Sequence, residues 1–231
     1  MTFKIQKYSD LPARIEGERV VLRPLSHFDA PAMSRLGGDY AVASQTAAIP
    51  SPQPLLAAEF AVMSIEAHAR AGLVFPYPIT LDGNEMIGMI SLSRKSLDSV
   101  SVIGYWVGRP YWRKGYGYDA AKALIQSAVK HLGVTRIHAK ARKDNFASQA
   151  LLNKLGFKFT GVEYETFIMA QMIKKTSLGL SLDVYSAEWL ERPLALHSQI
   201  LPFRQNQVIR SSGHNCGAAP KIGAVPIRSI E

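Results

Sequence analysis

Between a β-like run and a strongly amphipathic helix, this chain carries Tyr111-Trp112-Arg113-Lys114-Gly115-Tyr116-Gly117-Tyr118-Asp119. Glycines at alternate positions let a turning backbone bring several N–H groups to one point, and a helix starting there adds partial positive charge. Arg113 and Lys114 place full charges beside that point, so the loop suits a pyrophosphate. The helix is marked by an apolar stripe of Ala120, Ala121, Leu124, Ile125, Ala128, Val129 and Leu132, with Gly133 as its stop. The run before the loop is Ser99–Val107, broken by Gly108-Arg109-Pro110 and carrying Gly104 where a bulge or close backbone approach is expected.

Two other phosphate-binding patterns fail on detail. A Rossmann fingerprint follows the first strand of its unit and needs a later acidic residue, and a P-loop needs Gly-Lys-Ser/Thr, which is absent here.

The elements on either side alternate between strand and helix. Arg19–Leu25 is a short β-like run ended at Pro24, and Ser26 caps a helix through Phe28, Ala32, Met33 and Leu36 that Gly37-Gly38 closes. Three prolines make residues 49–54 a loop, after which Leu56, Phe60, Met63, Ile65 and Ala69 are expected to form the buried side of a second helix. Phe75–Leu81 and Glu85–Ser93 flank the turn Asp82-Gly83-Asn84. Arg136–Arg142 alternates strictly, with Ile137, Ala139 and Ala141 inward and His138, Lys140 and Arg142 outward. Asn145 caps a short helix, Phe146–Leu155, stopped by Gly156, and Phe157–Glu165 and Leu180–Tyr185 supply closing strands. Residues 14–193 are expected to form the domain and 194–231 a flexible extension without hydrophobic period.

The 231 residues carry a formal charge of +9, and between Arg109 and Lys143 nine basic residues face Asp119 alone. That concentration points to an anionic partner at the loop and its helix. Nothing approaches the roughly 18–20 apolar residues of a membrane span, no secretory signal is visible, Cys216 is the sole cysteine, and no Cys/His cluster has metal-ligand spacing. A cytoplasmic protein without a resident metal is expected.

Four segments in order resemble the GNAT superfamily of acyl-coenzyme A-dependent N-acyltransferases, nearest its RimJ/RimL-type branch: Gly104-Tyr105-Trp106-Val107, the loop from Tyr111 to Gly117, Asn145-Phe146-Ala147-Ser148, and Lys154-Leu155-Gly156-Phe157. The opening Glu18–Leu25 and Met86-Ile87-Gly88 fit the same branch, over about residues 14–192. The resemblance implies an α/β fold with a mixed, strongly bent central sheet, helices on both faces, and acetyl-coenzyme A inserted where the sheet splays. It implies that Trp112, Arg113, Lys114, Gly115, Tyr116 and Gly117 cradle the pyrophosphate. Tyr105, Trp106 and Val107 would pair with the pantetheine, and Asn145 would touch it.

The resemblance also implies amine acetylation in a ternary complex, with the acceptor a protein N-terminal α-amine or a small molecule, and the protein a monomer or homodimer. Many such enzymes protonate the departing thiolate from a tyrosine seven residues after the asparagine; that position is Leu152 here, so Ser148 is the candidate donor. The branch's glutamate is Thr160 here, leaving Glu163 as the candidate base, against a water chain or no dedicated base. Two competing readings are a coenzyme-binding sensor without catalysis, motivated by Leu152 and Thr160, and a basic nucleic-acid or ribosome-binding module using Tyr111, Trp112, Tyr116 and Tyr118.

Overall fold

Residues 10–94 and 101–184 are described by the structure, a computed structural model. Eight strands form one mixed sheet: β1 (Ile15–Glu16), β2 (Val21–Leu22), β3 (Val74–Thr80), β4 (Met86–Ser93), β5 (Ser101–Val107), β6 (Arg136–Arg142), β7 (Lys158–Ile168) and β8 (Ile173–Asp183). Their order is β1-β2-β3-β4-β5-β6-β8-β7, and each neighbouring pair is antiparallel except β5 with β6. The helix α4 (Tyr116–Leu132) is the crossover that a parallel pair requires.

Parallel pairing joins Ser101 to Ile137, Val102 to His138 and Ile103 to Ala139, then stops, although the strands run on to Val107 and Arg142. Beyond Ile103, β5 keeps β4 on one edge and, among the described residues, has no strand on the other. The sheet therefore splays at one place, beside the N-terminus of α4.

Side-chain alternation sorts the two faces. Ile103, Tyr105 and Val107 of β5 and Ile137, Ala139 and Ala141 of β6 pack with α4 and with Leu152 of α5 (Phe146–Lys154). Trp106 points the other way, into a second cluster with Met33, Leu36, Val42, Ala58, Val62 and Met86. That cluster is built by a broken N-terminal helix containing α1 (Ala30–Ala32), by α2 (Tyr40–Ala43) and by α3 (Leu55–Arg70).

Several expectations are corrected. The helix after Ser26 begins as a 3-10 turn and ends as a π turn, and Phe28 stands in solvent. In α3 the inward side is Ala58, Val62 and Ala69, whereas Leu56, Phe60 and Met63 are exposed. Two stripes of helical spacing run along α3, and the one with smaller side chains lets the helix sit closer to the sheet. Gly104 marks no bulge, since it stays in register with Ser91. Arg142, expected to face outward, is buried. Residues 99–100 and Tyr185 of the expected strands, the extension 194–231 and Cys216 lie outside the described residues, as does the whole of the second unit, Pro193–Glu231.

One buried carboxylate ties the N-terminal segment to the head of α4. Asp119, 3% exposed, accepts backbone N–H groups from Glu18 at 3.1 Å, Arg19 at 2.7 Å and Val20 at 3.2 Å. Gly17 is required there, because a Cβ would stand 2.7 Å from Asp119 Oδ2. In urea unfolding, Asp119→Ala should lose about 2–3 kcal/mol by leaving three backbone donors, the buried one of Val20 among them, without their acceptor, and a loss under about 1 kcal/mol would contradict this role.

Candidate active site

The loop before α4 owes its shape to two residues in the left-handed region, Arg113 at φ 60° and Gly115 at φ 79°. For Gly115 this is free, whereas Arg113 is held there at a cost of about 1 kcal/mol or more, the kind of local strain found at ligand clamps. No side chain caps the start of α4, which leaves its first N–H groups without a side-chain acceptor. Arg19 braces the loop from behind, its Nη1 donating to the Lys114 carbonyl at 2.7 Å. A Cβ on Gly115 would collide with that guanidinium. At Gly117 a Cβ would stand 3.2 Å from Leu151 Cδ1 and 3.5 Å from Val107 Cγ2, so glycine keeps α4 close to both β5 and α5.

Trp112, expected in the cradle, donates its Nε1–H to the Val107 carbonyl at 2.6 Å and so pins the loop to the end of β5. Trp106 is buried beneath Gly37, within 3.6 Å of where a Cβ would stand. Its Nε1 and the Oε1 atoms of Gln53 and Gln171 are buried without a hydrogen-bond partner in the structure.

On the far side of the splay, Asn145 Oδ1 accepts the Ser148 N–H at 3.0 Å, as a helix cap does. The Ser148 hydroxyl does not turn back on its own helix. It lies 2.9 Å from the hydroxyl of Tyr105 on β5, linking that strand to the first turn of α5. Burial pushes the Tyr105 hydroxyl up to about 12, against a smaller downward pull from Ser148, so it holds its proton at neutral pH. In the sequence Tyr105 stands out only as a backbone partner for pantetheine; its hydroxyl contact spans 43 residues, which no local pattern encodes.

Glu163 is not joined to this pair. It sits on exposed β7 in an ion pair with Lys143, at 2.7 Å. The described residues hold no group of acidic, histidine or cysteine side chains fit for a metal, and none of their helices is long and apolar enough to cross a membrane.

Residues 19–158 match the family model described as an acetyltransferase (GNAT) domain. The chain belongs to the GNAT acetyltransferase family. It is 28% identical over 185 residues to an uncharacterized N-acetyltransferase, p20, of Bacillus licheniformis, which covers 77% of this chain and 96% of the relative. Among solved structures the fold is similar to Mycobacterium smegmatis RimJ in complex with a CoA-disulfide (TM-score 0.65, 22% identity, 78% of this chain and 88% of that one). It is also similar to RimL, a ribosomal L7/L12 α-N-protein acetyltransferase in complex with coenzyme A (TM-score 0.63, 20% identity, 75% and 97%). GNAT domains are acetyl-CoA-dependent acyltransferases, and this chain is one.

Acetyl-CoA fits the residues present. A helix mouth without a side-chain cap, a loop turned by residues of positive φ, adjacent Arg113 and Lys114, and a strand edge that no described strand pairs with beyond Ile103 supply donors and charge for a diphosphate with an extended arm. Gly115→Ala should raise the dissociation constant of acetyl-CoA about tenfold or more, because a side chain at φ 79° strains the loop and displaces the Arg19 guanidinium that braces it. Calorimetric titration checks this, and unchanged affinity would show that the loop is not the cradle.

Proposed function

We propose that the protein transfers the acetyl group of acetyl-CoA to a primary amine by direct attack within a ternary complex, the acceptor being a protein N-terminal α-amine or a small-molecule amine. The observation that carries this reading is the Tyr105–Ser148 hydroxyl pair lying across the splay, beside the uncapped head of α4. The backbone of residues 113–117 would hold the diphosphate and the free edge of Tyr105–Val107 the pantetheine arm, with Asn145 next to it.

Bound there, the coenzyme supplies an acetyl group activated as a thioester. Amide N–H groups of β5 would polarise its carbonyl. As the amine nitrogen bonds to the acyl carbon and the carbon–sulfur bond breaks, Ser148 gives its hydroxyl proton to the sulfur and takes one from Tyr105, which water restores. Because burial raises its pKa to about 12, the Tyr105 hydroxyl is protonated at neutral pH, so a proton is in place when the thiolate leaves. The ion pair with Lys143 occupies Glu163, and water suffices to carry off the proton of the attacking amine.

Thiol release over a panel of amines, with N-terminal peptides and small amines side by side, tests this directly. Ser148→Ala and Tyr105→Phe should each lower kcat about 10–100-fold while leaving the affinity for acetyl-CoA within about threefold. Wild-type kcat in both variants would overturn the proton path. Because burial holds the Tyr105 proton to about 12, kcat should also show no alkaline fall near 10, the ordinary tyrosine value. A loss of activity centred there in the wild type, absent from Tyr105→Phe, would contradict the raised value.

A further inference from the structure

The splay leaves the two halves of the sheet to be joined by something other than strand pairing. On the face that carries Trp106, residues 40–47 make the join. On the near side Val42 is buried with Trp106 and Met86. On the far side Arg142 Nη1 donates to the Ser44 carbonyl, Met169 N–H to the Ala47 carbonyl at 3.0 Å, and Gln171 Nε2 to the Tyr40 hydroxyl at 3.1 Å. These donors come from the end of β6 and from the turn between β7 and β8, so the segment lies as a strap from one half to the other.

Arg142 is the buried member of this set, 6% exposed, and its side chain is committed at every edge. Its Nε and Nη2 grip the Asp144 carboxylate, with Nε at 2.7 Å. That carboxylate also accepts Lys175 Nζ at 3.0 Å. The Arg142 hydrogen bonds, then Lys175, hold the Asp144 carboxyl well below the usual carboxylate range. The main chain of Arg142 serves the opposite side: its carbonyl accepts Asn145 N–H at 3.0 Å and Gln149 Nε2 at 2.8 Å. Asn145 in turn presents Ser148. One residue therefore starts the turn that holds the Ser148 hydroxyl and also anchors the strap facing it.

We propose that Arg142 is a positioning residue that sets the spacing between the strap, residues 40–47, and the Ser148 turn, and with it the width of the acceptor side of the cleft. It touches no reacting atom. The inference rests on the acyl-transfer reading above: α4 and α5 cover one face of the splay, so an incoming amine must pass the strap on the other. A lysine could reach Ser44 or Asp144 but could not fork to both.

Hydrogen exchange on the free protein and steady-state kinetics test this together. In Arg142→Met, backbone amides of residues 41–47 should exchange about tenfold faster or more, with α4 amides unchanged. The KM for the amine should rise about tenfold, with the acetyl-CoA dissociation constant within about threefold and kcat less affected than KM. Arg142→Lys should recover part of both losses. Gln171→Ala, which cuts a different tether at an outer turn, should raise exchange in the same segment and carries the test if Arg142→Met does not fold. Unchanged exchange and unchanged amine KM would overturn the role of Arg142. If the wild type acetylates no amine, the acyl-transfer reading fails, while exchange alone still decides whether Arg142 holds the strap.

Discussion

The parallel pairing of β5 with β6 lasts for three residue pairs, and the shape of the candidate site depends on where it stops. Up to Ile103 and Ala139 the two strands share one core with α4; past that point the packing no longer lets them run together. Val107 lies against the head of α4 at Gly117, and Leu151 of α5 closes on the same glycine from the other strand's side. Gly117 therefore lies where α4, β5 and α5 meet, at the open end of the paired stretch. An unpaired stretch of backbone within a sheet is a liability unless something covers it, and an extended ligand arm is one answer.

Two anchors hold the gap at a defined shape. Behind the helix head, Asp119 gathers three N–H groups of the N-terminal segment, which brings Arg19 against the loop it braces. Across the gap, Arg142 links the turn of Asn145 to the strap of residues 40–47. Both anchors are buried charges satisfied by several partners, the condition under which burying a charge is tolerated. The hydroxyls of Tyr105 and Ser148 then meet across the gap without either needing to move.

Much of this was legible in the sequence where the signal is local. Gly115 and Gly133 adopt the backbone their positions suggested, Asn145 caps its helix, Arg136–Arg142 is a strand to the residue, and the loop from Tyr111 leads into α4 as its composition implied. What escaped was set by tertiary contact. Two equivalent stripes on α3 differ only in size, and the smaller faces in. Arg142 follows the alternation of β6, yet the strap covers it, and alternation carries no information about a segment some hundred residues away. The Tyr105 hydroxyl and the triple acceptance by Asp119 are likewise long-range, as is the ion pair that draws Glu163 away from the site.

The most direct measurement is residue-resolved amide NMR during addition of acetyl-CoA. Shifts concentrated at residues 104–107, 113–118 and 145–148, saturating at one equivalent, are the result that follows from a coenzyme seated in the splay. Shifts confined to the β7–β8 hairpin or to α3, with those three segments silent, would contradict it.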